Sequence, residues 1–457
     1  MILKDYQKNA INDLENFLEL VDKTNSLSEA YKKFWALRDV PAKPPYTSTI
    51  ANVPQVCFKV PTGGGKTFMA AASLQSIFMA LPAIKTKVVV WLVPSDTILS
   101  QTYKNLNNPD HPYRQRLQID FSDRVVVYNK EQLLMAQNFS PVELENQLSI
   151  LVLSYDSFRT SNKEGRKAYQ ENGQLLPFVS HFKDDVDLLP DADITSLINV
   201  IRQYQPVIII DESHHATTKL SIEMLKNFNP SFVLELTATP KENSNVICYV
   251  PAHKLKSANM VKLPVIVYNR HSRDEVIGDT INLQHQLELI ANNEAMKGLV
   301  PVRPIVLFQA ESKGKSDRAT FDKIKSELIQ NYRIPNEQIA IKTADINELP
   351  DDLMAADCPI RYIITINALK EGWDCPFAYI FASLANRTST IDVEQILGRI
   401  LCRPFIKNFS NELLNMSYVF TSSADFRQTF AKIVAGLNAA DFSEHEYRLA
   451  DQNSFAV

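Results

Sequence analysis

The chain has 457 residues, 45% of them hydrophobic and 22% charged, with a formal net charge of −4. Such a length suits about two to four domains at roughly 150 residues each, and a balance this close to neutral excludes a bulk polybasic nucleic-acid binder while leaving room for a local basic groove. The five cysteines (Cys57, Cys248, Cys358, Cys375, Cys402) lie far apart, so neither a disulfide framework nor a structural zinc site is expected. No apolar run reaches the ~20 residues of a bilayer span, and the opening "MILKDYQKNAINDLENFL" is amphipathic rather than a secretory leader. A cytoplasmic protein with no membrane partner is expected.

In chain order, Ile11, Leu14, Phe17, Leu18 and Val21 mark a first helix by their spacing. Residues 22–52 are less regular, and "VPAKPPYTSTI" is loop chemistry. Then strand-like apolar runs alternate with helical stretches: "QVCFKV" (55–60), "KVVVWLVP" (87–94), "RVVVYN" (124–129), "SILVLSY" (149–155), "PVIIIDE" (206–212) and "FVLELTATP" (232–240). Strands apolar on both faces belong to a parallel sheet covered by helices. The polar stretch 161–191, with "EGRKAYQENGQLLP", reads as an insertion or flexible loop. Residues 241–262 read as a connector. The alternation resumes with "VIVYN" (265–269), "RPIVLFQA" (303–310), "IAIKT" (339–343), "RYIITIN" (361–367), "AYIFASL" (378–384) and "MSYVFT" (416–421). Four basic patches, "YKKFWALR" (31–38), "YRQRL" (113–117), "HKLK" (253–256) and "SKGKSDR" (312–318), each read first as a solvated face.

The stretch "FKVPTGGGKTFMAAASL" (58–74) carries the first chemistry. Its glycines free backbone N–H groups to curl around an anion, Lys66 adds a point charge, and Thr67 offers a hydroxyl to a metal ion. Strand, glycine-rich turn and helix is the context of a P-loop, although Val60 sits where the strict pattern has glycine. "IIIDESHH" ends a buried strand with Asp211 and Glu212, and in α/β sheets ligands bind at the carboxyl ends of strands. Asp211 would hold Mg²⁺ through water, and Glu212 would polarise the water that attacks a γ-phosphate. Thr237 and Thr239 of "LTATP" place two hydroxyls after the next strand, suited to a relay. "ITINALKEGWDCP" (364–376) gives Gly372 for a tight turn and Asp374 for a ribose hydroxyl or a backbone amide. "DVEQILGRILCRPF" (392–405) puts Gln395 and Arg399 on one helix face, and an arginine delivered to a γ-phosphate stabilises transition-state charge.

In order, "YQKNAI", "VPTGGGKT", "LVPSDTILSQT", "VLSYDSF", "DESHH", "TATP", "EGWDCP" and "QILGRILCRP" resemble the motor core of superfamily 2 helicases, and most of all the helicase-translocase subunit of type III restriction enzymes. The resemblance covers nearly the whole chain. It implies ATP and Mg²⁺ as cofactors. It implies that Gln7 reads the adenine edge with Tyr6 beside it, and that Thr62, Gly63, Gly64, Gly65, Lys66 and Thr67 hold the phosphates and metal. His214, Thr237 and Thr239 would couple nucleotide state to a second domain, and Gly372 and Asp374 would sense nucleotide from it. Pro94, Thr97, Gln101, Ser154, Tyr155 and Thr365 fall where the family touches the nucleic-acid backbone, and Gln395, Arg399 and one further arginine would reach the phosphates. The family's second arginine falls on Cys402 here; Arg403 lies next to it, and Pro404 biases it away from helical geometry. The clustered acids and lysine of the family's nuclease domain are not visible in the tail after "MSYVFT".

The expectation is therefore an α/β protein of two tandem RecA-like domains, each a mostly parallel sheet with helices on both faces, with an ATP site in the cleft between them. The expected boundaries are 1–240 for the ATP-binding domain with insertions near 22–52 and 161–191, 241–262 for a linker, and 263–457 for the helicase domain. The expected activity is that of an ATPase moving on duplex DNA, with a modification or specificity subunit, or a separate nuclease, as a partner. An RNA helicase and a nucleotide-gated clamp with weak turnover are the alternatives.

Overall fold

The computed structural model describes residues 2–38, 44–158, 167–182, 187–213, 219–298, 301–311, 320–343, 346–350, 352–366, 375–384, 400–422 and 447–449. Contacts divide the chain into two compact units, Met1–Val60 with Gly65–Val250, and Pro61–Gly64 with Pro251–Val457. The division at Val250 falls inside the stretch expected as a connector, but that stretch is not bare. Val246–Tyr249 is a strand of the first sheet, and Ala252–Ser257 is a helix of the second unit.

The first sheet is built from β1 (Gln55–Lys59), β2 (Lys87–Val93), β3 (Val125–Tyr128), β4 (Leu148–Ser154), β5 (Val207–Asp211), β6 (Phe232–Thr237) and β7 (Val246–Tyr249). Their order is β3-β4-β2-β5-β6-β1-β7, and every pairing is parallel. Every residue of β4, β5 and β6 is buried, so both faces are covered, as their unbroken apolar runs require. The helices α1 (Asp5–Thr24), α2 (Leu27–Ala36), α3 (Lys66–Met79), α4 (Asp96–Asn107) and α5 (Pro112–Asp120) are the principal helices of its first half.

Two segments differ from the sequence reading. Residues 22–52 contain α2, capped by Ser26, whose side chain accepts from the Glu29 N–H. Tyr31 and Phe34 are buried, Phe34 meets Phe17 edge-on at 5.9 Å, and the Tyr31 hydroxyl donates to the Val246 carbonyl at 3.1 Å. The basic residues of "YKKFWALR" thus ride on a helix whose other face is core, against the outermost strand β7. The stretch 161–191 is likewise no loose insertion where it is described. Ala168, Leu175 and Phe178 join the core made by Val88, Leu151 and Phe139, with the Phe139 and Phe178 rings 4.9 Å apart. Its polar residues tie it down: Asn172 donates to the Leu134 carbonyl at 2.8 Å, and Asn199 accepts from the Leu189 N–H at 2.9 Å. Few apolar residues do the packing, so composition hides it.

The second sheet comprises β8 (Val265–Asn269), β9 (Ile305–Gln309), β10 (Ile339–Lys342), β11 (Tyr362–Thr365), β12 (Ala378–Ser383), β13 (Ser417–Thr421) and β14 (Tyr447–Leu449). The order is β10-β11-β9-β12-β13-β8-β14, again parallel throughout. The helices Arg273–Met296 and Phe321–Gln330 pack on it. No helix among the described residues is long and apolar enough to cross a membrane.

Phe178→Ala should lower the unfolding free energy of the first unit by about 3–5 kcal/mol, the usual cost of emptying a buried aromatic site. Urea unfolding of the full chain measures it. A midpoint equal to the parent's would show that this segment is detachable from the core.

Candidate active site

Strands β5, β6 and β1 are neighbours, and Asp211, Thr237 and Lys66 end or follow them at their carboxyl ends. Asp211 ends β5 opposite Leu236, and Thr237 ends β6 opposite Lys59, the last residue of β1. After β1 the chain turns through Pro61–Gly65, with the Gly64 N–H donating to the Pro61 carbonyl at 3.0 Å. Gly63 and Gly65 have φ of +83° and +74°, a left-handed backbone that side chains resist. Gly65 then caps α3, whose first residues are Lys66 and Thr67, so the turn delivers both to the positive end of a 14-residue helix.

Lys66 is buried, and its ammonium donates to Oε1 of Glu212 in an ion pair. The Thr67 hydroxyl hydrogen-bonds to the Asp211 carboxylate. The Glu212 N–H donates to Asp211 Oδ1 at 3.1 Å, and Glu212 itself has φ of +50°. A non-glycine residue held in this region costs of order 1–3 kcal/mol and persists only where its surroundings enforce it. Burial, and then the Glu212 carboxylate, push the Asp211 carboxyl up to about 6, against the pull of Lys66, the Glu212 N–H and Thr67. The Thr237 hydroxyl accepts from the Thr239 N–H at 3.1 Å, and Thr237 is fully buried while Thr239 is half-buried.

This arrangement fits a nucleoside triphosphate with a divalent ion. A glycine turn at a helix N-terminus and a lysine suit phosphate. A hydroxyl and a carboxylate already in contact are hard oxygen donors of the kind Mg²⁺ takes while keeping several waters.

The other expected site residues fall into three groups. Tyr6 and Gln7 open α1 and are buried; Gln7 Oε1 accepts from the Lys4 N–H at 2.9 Å and so closes the helix start. The Tyr6 hydroxyl hydrogen-bonds to the Gln7 side chain. Thr62, like Gly63 and Gly65, is half-buried, and Gly64 is buried. Pro94, Thr97 and Gln101 are half-buried after β2 and in α4, and the spacing of Thr97 and Gln101 puts them on one helix face. Ser154 at the end of β4 and Tyr155 just after it are buried, as is Thr365 at the end of β11, whose hydroxyl meets no hydrogen-bond partner among the described residues. In this structure these three offer little surface to a nucleic-acid backbone. The expectations for His214, Gly372, Asp374, Gln395 and Arg399 lie outside the described residues.

Arg403 is no free finger. It is 6% exposed, and its guanidinium donates to Asn259 Oδ1 at 3.0 Å, to Asn408 Oδ1 at 2.8 Å and to the Asn415 carbonyl at 3.5 Å. Its neighbour Cys402 forms a β-bridge with Val261. For Arg403 to serve as the further arginine in place of Cys402, it would have to break three hydrogen bonds inside the second unit. Sequence reading missed these partners because Asn259 lies 144 residues away. It also missed a contact of Tyr155: its hydroxyl donates to the Asp211 carbonyl at 3.1 Å across 56 residues.

The model of the family "Type III restriction enzyme, res subunit" matches residues 1–242. The chain belongs to this family. It therefore carries a motor of the superfamily 2 helicase type, a class of ATPases that use ATP with a divalent metal, generally Mg²⁺. Among solved structures, the ATP-dependent type ISP restriction-modification enzyme LlaBIII bound to DNA matches with a TM-score of 0.53 and 14% identity over 100% of this chain. This chain spans 32% of that enzyme. That likeness establishes the fold, two tandem RecA-like domains. S. cerevisiae Dbp5 bound to RNA and ADP BeF3 matches at 13% identity and a TM-score of 0.46, over 96% of this chain and 94% of that one. A fragment of a putative HsdR subunit of a type I restriction enzyme from Vibrio vulnificus matches at 14% and 0.48, over 98% and 68%. No curated protein matches the chain.

A carboxyl raised in the folded chain favours folding below its ordinary value of 3.8, and that contribution is lost as pH rises to about 6. Asp211→Asn should therefore melt higher than the parent at pH 7.5 and close to it at pH 4. Mg²⁺ should raise the melting temperature of the parent at pH 7.5 and not that of the variant. Scanning calorimetry at the two pH values decides it; a variant less stable than the parent at pH 7.5 refutes the burial penalty.

Arg403→Ala should cost several hydrogen bonds at about 0.5–1.5 kcal/mol each, more where the partner atoms stay buried. It should lower the melting temperature and leave ATP affinity intact in whatever fraction folds. A fully stable Arg403→Ala chain with hydrolysis reduced by orders of magnitude would restore Arg403 as a finger.

Proposed function

We propose that this chain is an ATP-driven translocase that moves on duplex DNA in a restriction or defence-type system of the cytoplasm. A modification or specificity subunit, or a separate nuclease, would work with it. The observation that carries the reading is the meeting of Lys66, Thr67, Asp211 and Glu212 at one sheet edge, with Lys66 and Thr67 opening a helix that a glycine caps. Family membership supports duplex DNA as the track.

In this reading the Lys66–Glu212 ion pair is the resting state. A triphosphate competes for the Lys66 ammonium, because its β and γ oxygens carry more negative charge than one carboxylate. Glu212 is then released to accept a proton from water. That water's oxygen bonds to the γ-phosphorus as the bond to the β,γ-bridging oxygen breaks, and ADP leaves with that oxygen. Asp211 and Thr67 would hold Mg²⁺, which neutralises charge on the phosphates when bound. Thr237 and Thr239, on the adjoining strand end, would pass the loss of the γ-phosphate onward. Pro94, Thr97 and Gln101 would grip the phosphate backbone, a contact with little sequence preference.

A nucleotide-gated clamp with weak turnover is the second reading. The engagement of Arg403 inside its own unit favours it, since the family's second arginine then has no substitute at Cys402. RNA as the track is a third outcome of the same test.

Steady-state ATP hydrolysis is measured with no nucleic acid, duplex DNA, single-stranded DNA and RNA in parallel. Duplex DNA should stimulate most, and its binding should weaken steeply with salt as phosphate contacts release counterions. Lys66→Ala should abolish hydrolysis and weaken ATP binding, whereas Glu212→Gln should bind ATP and not hydrolyse it. Stimulation by RNA alone would replace the track, turnover without stimulation would favour the clamp, and parent-like hydrolysis by Glu212→Gln would remove Glu212 from its role.

A further inference from the structure

We propose that Tyr155 is a positioning residue for hydrolysis, which holds the Asp211–Glu212 peptide so that Glu212 keeps the backbone conformation its role requires. The proposal rests on the reading of Glu212 as proton acceptor and assigns Tyr155 away from the nucleic-acid track.

The peptide between Asp211 and Glu212 is fixed at both of its polar atoms. Its N–H donates to Asp211 Oδ1 at 3.1 Å, and its carbonyl accepts from the Tyr155 hydroxyl at 3.1 Å. Rotation of this peptide would swing Glu212 away from Lys66. Glu212 sits at φ of +50°, a conformation that a glutamate leaves unless its neighbours hold it. The Tyr155 hydroxyl, from the turn that follows β4, is a contact that does so.

Its anchorage suits the task. Tyr155 is 4% exposed and belongs to the same core as Phe158, Phe178 and Phe228. It opens the turn Tyr155–Phe158, which is tied to the end of β4 by the Ser154 and Ser157 hydroxyls, 3.1 Å apart. Phe158 packs on Phe228 at 4.8 Å. Burial, and then the Asp211, Glu212 and Glu235 carboxylates, hold the phenol well above its ordinary range, so it remains a donor at working pH.

The path is short. Strand β2 lies between β4 and β5, with Val93 opposite Ser154 and Leu92 opposite Ile210. At about 4.8 Å per strand step, Tyr155 reaches roughly 10 Å across the end of β2 to the end of β5.

The test is Tyr155→Phe in the full chain, which removes one oxygen and keeps the ring. The kcat for ATP should fall about tenfold with and without duplex DNA, while KM for ATP and DNA affinity stay within about twofold. Hydrogen exchange over residues 207–213 should quicken, and exchange over β9 in the second unit should not change. Loss of DNA affinity at unchanged kcat would make Tyr155 a track contact and overturn the proposal. A joint decline of kcat, KM, DNA affinity and melting temperature would make it merely structural and overturn it too. Unchanged exchange over 207–213 overturns it without reference to turnover. If the parent hydrolyses no ATP but the exchange responds, the ATPase reading fails and the positioning of Glu212 stands.

Discussion

In an all-parallel sheet every strand delivers its carboxyl end to the same edge, so residues distant in sequence meet if each follows a strand. The first unit is organised by that constraint. Lys66, Asp211 and Thr237 are separated by up to 171 residues, yet they follow or end three adjacent strands. The ends of β2 and β4 carry Pro94, Ser154 and Tyr155, and the two groups adjoin where β2 meets β5. In the proposed reading, the nucleotide site and the strand ends assigned to the track adjoin across one strand step, without any long relay.

The site is electrostatically costly. Asp211 is buried beside a second carboxylate, with Lys66 and Thr67 as its compensation. Two acids against one lysine make a centre that gains from a divalent ion, and that gain is unavailable to a chain designed only for stability. The Lys66–Glu212 pair satisfies the lysine, and in the proposed reading a triphosphate that takes the lysine frees the glutamate. The backbone adds to the cost, since Glu212 occupies a left-handed conformation secured by contacts from Asp211 and Tyr155.

The second unit uses its strand ends differently. Gln309 and Ser383, at the ends of β9 and β12, are buried and bonded to each other at 3.0 Å, and Thr365 lies beside Gln309 in the register. This polar row serves its own packing in the structure. Arg403 shows the same inward economy: an arginine next to the family's finger position is held by Asn259, Asn408 and Asn415. A buried guanidinium with such partners is expensive to withdraw.

What the sequence determined by itself was the series of strands and the motifs that follow them. Unbroken runs such as "VVVWLV" and "VIIID" can only be buried strands, and a strand followed by glycines, lysine and a helix has one common use. That much gave the α/β class with mostly parallel sheets, the two units and the cluster of Lys66, Thr67, Asp211 and Glu212; that every pairing is parallel came with the tertiary structure. The packing of 167–179 and of α2 was hidden, because three or four apolar residues in a polar stretch carry it, and periodicity is too weak a signal over so few positions. The partners of Tyr155 and Arg403 were also beyond reach, since a side-chain bond across 56 or 144 residues depends on where two strands or loops finish in space. Local chemistry is written in neighbouring residues. Which donor finds which acceptor was decided only when the sheet brought its strand ends together.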